Sequence, residues 1–164
     1  MKNIVVIGGG TGTFTVLSGL KKYQDVTLKA IVSMADNGGS TGLLRTELGV
    51  LPPGDIRQCL IALSNSPKVL SDLFMYRFED GRLSGHNFGN IFLSGLEKVT
   101  GDFEQAIIEA GKILNISGEV IPVSLELMNL HAELADGTTV VGEAAIDSTR
   151  PNADQPIKRL FLNP

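Results

Sequence analysis

Lys2-Asn3-Ile4-Val5-Val6-Ile7-Gly8-Gly9-Gly10-Thr11-Gly12-Thr13 is the stretch that decides the fold. Its β-branched run, Ile4 to Ile7, predicts a strand from Lys2 to Ile7 buried on both faces. Glycines follow at once, and Phe14, Leu17 and Leu20 then keep helical spacing to about Tyr23. Val26 to Val32 reads as a second strand. Strand, glycine turn, helix, strand is a βαβ unit, which places the chain in the α/β class with a parallel sheet. The turn puts backbone N–H groups at a helix N-terminus, where an anion is stabilised. Missing Cβ atoms at Gly8, Gly9, Gly10 and Gly12 let a phosphate come close, and Thr11 and Thr13 add hydroxyls. The pattern is not a full dinucleotide fingerprint, because Thr13 stands where the third glycine belongs. It is not a P-loop, because no Gly-Lys-Ser/Thr follows. A phosphate site is preferred over a tight packing turn.

Beyond the second strand comes a polar loop, Ser33 to Thr41, and then helical signals to residue 114. Ile56, Cys59, Leu60 and Leu63 share one helical face behind a candidate cap at Asp55. Ser66-Pro67 reads as an N-cap with proline at the first helical position. Phe88, Ile91, Phe92 and Leu96 line a further helix. Asp102 and Gln105 resemble a capping box before Phe103, Ala106, Ile107, Ala110 and Leu114. The pattern then turns to strands: Glu119 to Val123, a hairpin of 128–134 and 138–143 around Asp136-Gly137, and Ile157 to Leu162 after a polar stretch with Pro151 and Pro156. A parallel strand is normally followed by a covering helix, so the last strand suggests a sheet left incomplete at the C-terminus, with an edge open to a second copy. Residues 1–164 are taken as one domain.

Three further segments carry candidate chemistry. Asp36-Asn37-Gly38-Gly39-Ser40-Thr41-Gly42 follows the second strand, on the edge that should converge with the first glycine loop. Asp36 suits a divalent metal or a ribose hydroxyl, and an Asx-turn is the plain alternative. In Leu51-Pro52-Pro53-Gly54-Asp55-Ile56-Arg57, Asp55 is a helix cap or, with Asp36, a metal ligand. Arg57 opposes the helix dipole, which fits a cation kept for an anionic partner or a surface ion pair. Gly85-His86-Asn87-Phe88-Gly89-Asn90 is a second candidate anion nest, with His86 a phosphate donor or general acid. His131 and Cys59 read as structural.

Composition narrows the function. A net charge of −4 and no long basic run argue against nucleic acid. No apolar run reaches transmembrane length, so membrane insertion is not expected and a cytoplasmic location is. One cysteine and two histidines argue against a disulfide or a Cys/His zinc site. The 19 glycines gather at element boundaries, where backbone turns sharply or approaches a ligand.

Taken together, Gly8–Gly12, Ala35–Gly42, Leu51–Arg57 and Gly85–Leu93, with Thr100-Gly-Asp-Phe and Asp136-Gly-Thr, resemble the gluconeogenesis factor family. That family is a branch of the superfamily related to 2-phospho-L-lactate transferase. The likeness covers essentially the whole chain, as the front part of a longer family fold. It implies a Rossmann-like three-layer parallel sheet with a small β-hairpin excursion, and a bacterial cytoplasmic regulator of gluconeogenic growth and cell shape. It also implies a ligand of the UDP-N-acetylglucosamine type. The transferase branch instead moves a phospholactyl group from a guanosine diphosphate carrier to a deazaflavin with Mg²⁺. On either branch Gly8–Thr13, Asp36–Ser40 and Gly85–Asn90 would line the nucleotide or phosphate site. The superfamily's acidic pair stands here as Asp36-Asn37, and one carboxylate binds Mg²⁺ more weakly than two, which favours binding without chemistry.

Overall fold

The computed structural model describes residues 2–149 and 155–164, so Pro151 of the polar stretch lies outside the described residues. Strand β1 (Lys2–Gly8), helix α1 (Gly10–Leu20) and strand β2 (Val26–Val32) form the expected βαβ unit. Five helices follow: α2 (Gly39–Leu48), α3 (Gly54–Leu63), α4 (Lys68–Met75), α5 (Phe88–Thr100) and α6 (Phe103–Ile113). Strand β3 (Glu119–Pro122) returns to the sheet, giving the order β1-β2-β3, all parallel. A second sheet, antiparallel in the order β5-β4-β6, holds β4 (Asn129–Leu134), β5 (Thr139–Val141) and β6 (Ile157–Asn163), with the short helix α7 (Glu143–Thr149) between β5 and β6. This is the expected Rossmann-like α/β architecture with its β-rich excursion.

Apolar burial fixes the arrangement. Leu28, Ala30 and Val32 of β2 meet Ile56, Cys59, Leu60 and Leu63 of α3, with Leu17, Leu93, Phe103 and Ala106 in the same core. Helix α3 is buried nearly all round, as a central helix must be. Lys21 Nζ donates to the carbonyl of Ser64, which caps the C-terminal end of α3.

Two expectations change. Strand β1 is not buried on both faces: Ile4 and Val6 pack on the core, whereas Val5 is 51% and Ile7 76% exposed. It is an edge strand with helices on one side, so two of the three expected layers are present among the described residues. The last strand, β6, pairs antiparallel with β4 outside the parallel sheet, so it is not the parallel strand after which a covering helix was expected.

Caps divide in the same way. Asp102 accepts from the N–H of Gln105, as expected of a helix start. Asp55 and Ser66 do not cap: α3 starts behind Pro53 and α4 behind Pro67, each without a side-chain cap. The Ser66 hydroxyl instead meets those of Ser64 and Ser71.

Leu60, fully buried on α3, is the sharpest test of this core. Leu60→Ala should cost about 2–5 kcal/mol. Urea unfolding should show this as a lower midpoint at an unchanged slope.

Candidate functional site

The site lies at the carboxyl ends of β1 and β2, where the chain leaves the sheet twice. After Gly8 the backbone turns directly into α1. After Val32 it runs through Ser33 to Gly38 and enters α2. A cleft of about 560 Å³ opens there, walled by Gly9, Gly10, Ser33, Ala35, Asp36, Asp55, Leu130, Glu143 and Leu162.

Asp55 stands in the first turn of α3 and aims its carboxylate at the glycine turn. A Cβ on Gly9 would lie 2.0 Å from Asp55 Oδ2, so only glycine fits. Burial pushes the Asp55 carboxyl above the ordinary carboxylate range, and the charge of Asp36 pushes it the same way. The Gly10 N–H and the Arg57 charge pull it partly back. The glycine-turn amide predicted to face a phosphate therefore faces a carboxylate of the protein.

Asp36 divides its oxygens. Oδ1 accepts from the N–H of Gly38 at 2.9 Å, the Asx-turn anticipated as the plain alternative. Oδ2 and Thr41 Oγ1 lie 2.8 and 2.5 Å from where a Cβ on Gly54 would sit, so this oxygen faces the start of α3. Glu143, at the start of α7, completes the acidic group. Its carboxyl is raised by burial and by Asp36, Asp147 and Asp55. No sequence pattern marks Glu143, which the hairpin reading places at a strand end.

Beside the cleft runs a buried polar network. Asn87 N donates to Ser40 Oγ at 3.1 Å, and Ser40 Oγ lies 3.4 Å from His86 Nδ1. Asn87 Oδ1 accepts from Asn90 N, and Asn87 Nδ2 donates to the carbonyl of Met75. Asn90 Oδ1 accepts from Arg57 Nε at 2.8 Å, while Asn90 Nδ2 reaches Thr41 Oγ1 at 3.5 Å. Arg57 is 7% exposed, and burial followed by the charge of Arg77 brings its guanidinium down to about 10. Gly89 makes room for it: a Cβ there would lie 2.6 Å from both Arg57 Cδ and the Phe74 carbonyl oxygen.

The predicted residues therefore separate into two groups. Gly9, Gly10, Asp36 and Asp55 line the cleft; Ser40, Arg57, His86, Asn87, Gly89 and Asn90 build the network beside it. The other small residues do local work. Thr13 donates back to the carbonyl of Gly9 at 3.2 Å, Thr11 is exposed, and Gly8 ends β1. A Cβ on Gly12 would meet nothing within 4 Å, and Gly39 opens α2. Asn37 Oδ1 accepts from Ala144 N at 2.9 Å, tying the acidic loop to α7. The second anion nest is altered: the amides of Asn87, Phe88 and Asn90 go to Ser40, the Tyr76 carbonyl and the Asn87 side chain. The carbonyl of Gly85 accepts from Arg77 Nη1 at 2.5 Å. His131 stacks on Phe161 with ring centroids 5.2 Å apart, and Cys59 is a buried thiol pushed up to about 12, both structural as expected.

Among the described residues no three His, Cys, Asp or Glu side chains form a ligand cluster. A metal here would take Asp36 and Asp55, with water and phosphate oxygens completing it, a set that suits Mg²⁺.

Fold and site together define an α/β protein of the Rossmann-like class with an acidic cleft at the carboxyl edge of its parallel sheet. The chain belongs to the family described as 2-phospho-L-lactate transferase CofD, whose model matches residues 4–164. It is 50% identical over 164 residues to the gluconeogenesis factor of Halalkalibacterium halodurans, covering 99% of this chain and 49% of that protein. It is 48% identical over 162 residues to the gluconeogenesis factor of Bacillus subtilis, covering 98% and 50%. A crystal structure of a UPF0052 family protein from Bacillus halodurans superposes with a TM-score of 0.91 at 48% identity, covering all of this chain and 52% of that one. The chain thus spans about half the length of the curated relatives it matches. No helix among the described residues is long and apolar enough to cross a membrane.

Asp55 gives a test with a definite sign. Its folded-state pKa is raised, so the folded protein holds the proton more tightly than the unfolded chain, and stability falls as pH rises through the folded value. Asp55→Asn should therefore melt at or above the wild-type temperature at pH 7. The gain should disappear toward about pH 4, where the unfolded carboxyl protonates. Thermal melts across that range check it; a large loss at pH 7 would make the carboxylate a structural anion.

Proposed function

We propose that this chain forms the phosphate-facing part of a site for a UDP-sugar of the UDP-N-acetylglucosamine type. In this role it acts as a cytoplasmic bacterial regulator of gluconeogenic growth, cell-wall precursor supply and cell shape. The observation that supports the reading is the place of the Gly9–Gly10 turn, in the wall of a cleft at the carboxyl edge of the parallel sheet, with Asp55 seated against it. Carboxyl-edge crevices of parallel sheets are where α/β proteins take nucleotides. The identity to proteins named gluconeogenesis factor supports the regulatory part.

The pairing of Asp36 with Asp55 favours one second reading, a transferase of the 2-phospho-L-lactate type. The two carboxylates would hold Mg²⁺, which would neutralise charge on the guanosine monophosphate leaving group as the carrier's P–O–P bond breaks and the phospholactyl phosphorus bonds to a deazaflavin hydroxyl that gives up its proton.

UDP-N-acetylglucosamine should raise the melting temperature without being consumed. Ligand at a hundred times its Kd adds about 2.7 kcal/mol. Gly10→Asn, a side chain tolerated at the left-handed backbone of Gly10 (φ 67°), places polar atoms in the cleft wall and should remove that shift while the protein still folds. An unchanged melting temperature at saturating ligand would defeat the regulator reading. Mg²⁺-dependent transfer to a deazaflavin, lost in Asp36→Asn, would replace it with the transferase.

A further inference from the structure

A second cavity, of about 620 Å³, shares the Asp36–Asn37 turn and strand β4 with the acidic cleft but differs from it in charge. Asn37, Leu43, Arg45, Thr46, Leu127 and Asn129 stand in its walls, and no Asp or Glu does. The cleft is walled instead by Asp36, Asp55 and Glu143. Neighbouring residues divide between the two: Asp36 and Leu130 line the cleft, Asn37 and Asn129 the second cavity. On β4 this follows from strand alternation, which sends consecutive side chains to opposite faces. The Asp36 carboxylate accepts from the Gly38 N–H and faces the start of α3, outside the walls of the second cavity.

Arg45 is the charged side chain of this wall, and it makes no ion pair among the described residues. Its partners are neutral. Nη1 donates to the Asp36 carbonyl at 3.4 Å, and Nη2 to the Met128 carbonyl at 3.0 Å and to Asn129 Oδ1 at 3.3 Å. These bonds hold the guanidinium in place and use three of its five N–H groups. Asn129 and Asn37 are both engaged through their oxygens, Asn37 Oδ1 accepting from Ala144 N at 2.9 Å. Neither amide nitrogen has a protein acceptor, and no buried side-chain nitrogen among the described residues lacks a partner, so both are open to solvent. The wall therefore presents hydrogen-bond donors on Arg45, Asn37 and Asn129 with no competing carboxylate, a setting that suits an oxyanion. Three donor groups match the three free oxygens of a phosphate monoester better than the two of a carboxylate. The cavity has small-molecule size, and the partly exposed Leu43 and Leu127 give it an apolar side.

We propose that this cavity binds a small phosphate monoester, its phosphate on Arg45, Asn37 and Asn129 and its organic group against Leu43 and Leu127. The site is separate from the acidic cleft and goes beyond the nucleotide-sugar reading given to that cleft.

Phenyl phosphate is the probe, with titration calorimetry and thermal melts on the full chain. Wild type should bind it, more weakly as salt is raised. Benzoate, with one oxygen fewer for the same donors, should bind at least about tenfold more weakly. Asn129→Asp keeps the oxygen that accepts from Arg45 and turns the amide donor into a carboxylate oxygen. It should melt at or above the wild-type temperature yet bind phenyl phosphate at least about tenfold more weakly. Arg45→Lys keeps the charge without the planar fork and should fall between the two. Gln24→Glu makes the same change of charge at an exposed position before β2 and should alter nothing. Gly10→Asn, which obstructs the cleft, should also leave phenyl phosphate binding as it is. No binding by wild type, equal binding of benzoate, or wild-type affinity in Asn129→Asp would each overturn the proposal. An equal loss in Gln24→Glu would reduce the effect to overall charge, and a loss in Gly10→Asn would put the phosphate in the cleft; either also overturns it. If Asn129→Asp fails to fold, Arg45→Lys decides, and wild-type affinity there rejects the site.

Discussion

A carboxylate from one helix is seated against the glycine turn that begins another, and the site is organised around that contact. Gly9 has no room for a β-carbon because Asp55 occupies it. The contact fixes the start of α3 under the tip of β1, and the rest of α3 then runs buried between α1 and the sheet. It costs electrostatic energy, since Asp55 is partly desolvated and faces Asp36. A helix-capping acid would carry no such cost. The fold therefore holds a charge it would be easier to do without, an arrangement typical of sites that handle charged ligands.

The buried network beside the cleft follows the same logic. Ser40, Thr41, Arg57, His86, Asn87, Asn90 and Ser94 are all buried, and no buried side-chain polar atom among the described residues is left unpartnered. Such networks contribute little net stability compared with well-packed apolar side chains, but they hold their members in one geometry. Here the geometry is that of Arg57, gripped by Asn90, which Asn87 holds at the N-terminus of α5. Gly89 belongs to this support, because its missing β-carbon is where the Arg57 stem passes.

Local periodicity was enough to read most of the elements. Val26–Val32 is a strand to the residue, α6 with its C-cap Leu114 buries the five apolar positions the spacing predicts, and the Asp136-Gly137 turn joins β4 to β5. What failed depended on distant partners. A run such as Ile4 to Ile7 has the same composition whether one face or two is covered, so the exposure of Val5 and Ile7 was not legible. Asp55 looks like a cap because acids favour the first helical turn for either purpose. The convergence of the first two glycine segments on one edge was legible from the crevice rule, while the Leu51–Arg57 and Gly85–Asn90 segments were joined to them only by the family resemblance. The division of labour within them was not, because it rests on contacts such as Asn37 with Ala144 and Arg57 with Asn90, which join residues far apart in the chain.

The antiparallel sheet has a role at the site because of how it is attached. Asn37 takes the N–H of Ala144, and Arg45 on α2 reaches the Asp36 carbonyl, the Met128 carbonyl and Asn129 Oδ1. Both links run from the acidic loop or the helix behind it to the second sheet, and they deliver Glu143 beside Asp36 and Asp55. The cleft is thereby negative, with Asp36, Asp55 and Glu143 all in its walls. Coulomb forces repel a bare phosphate from it. A diphosphate would approach these carboxylates only with a cation between them. The excursion thus sets the polarity of the site, through a third carboxylate that the parallel sheet does not supply.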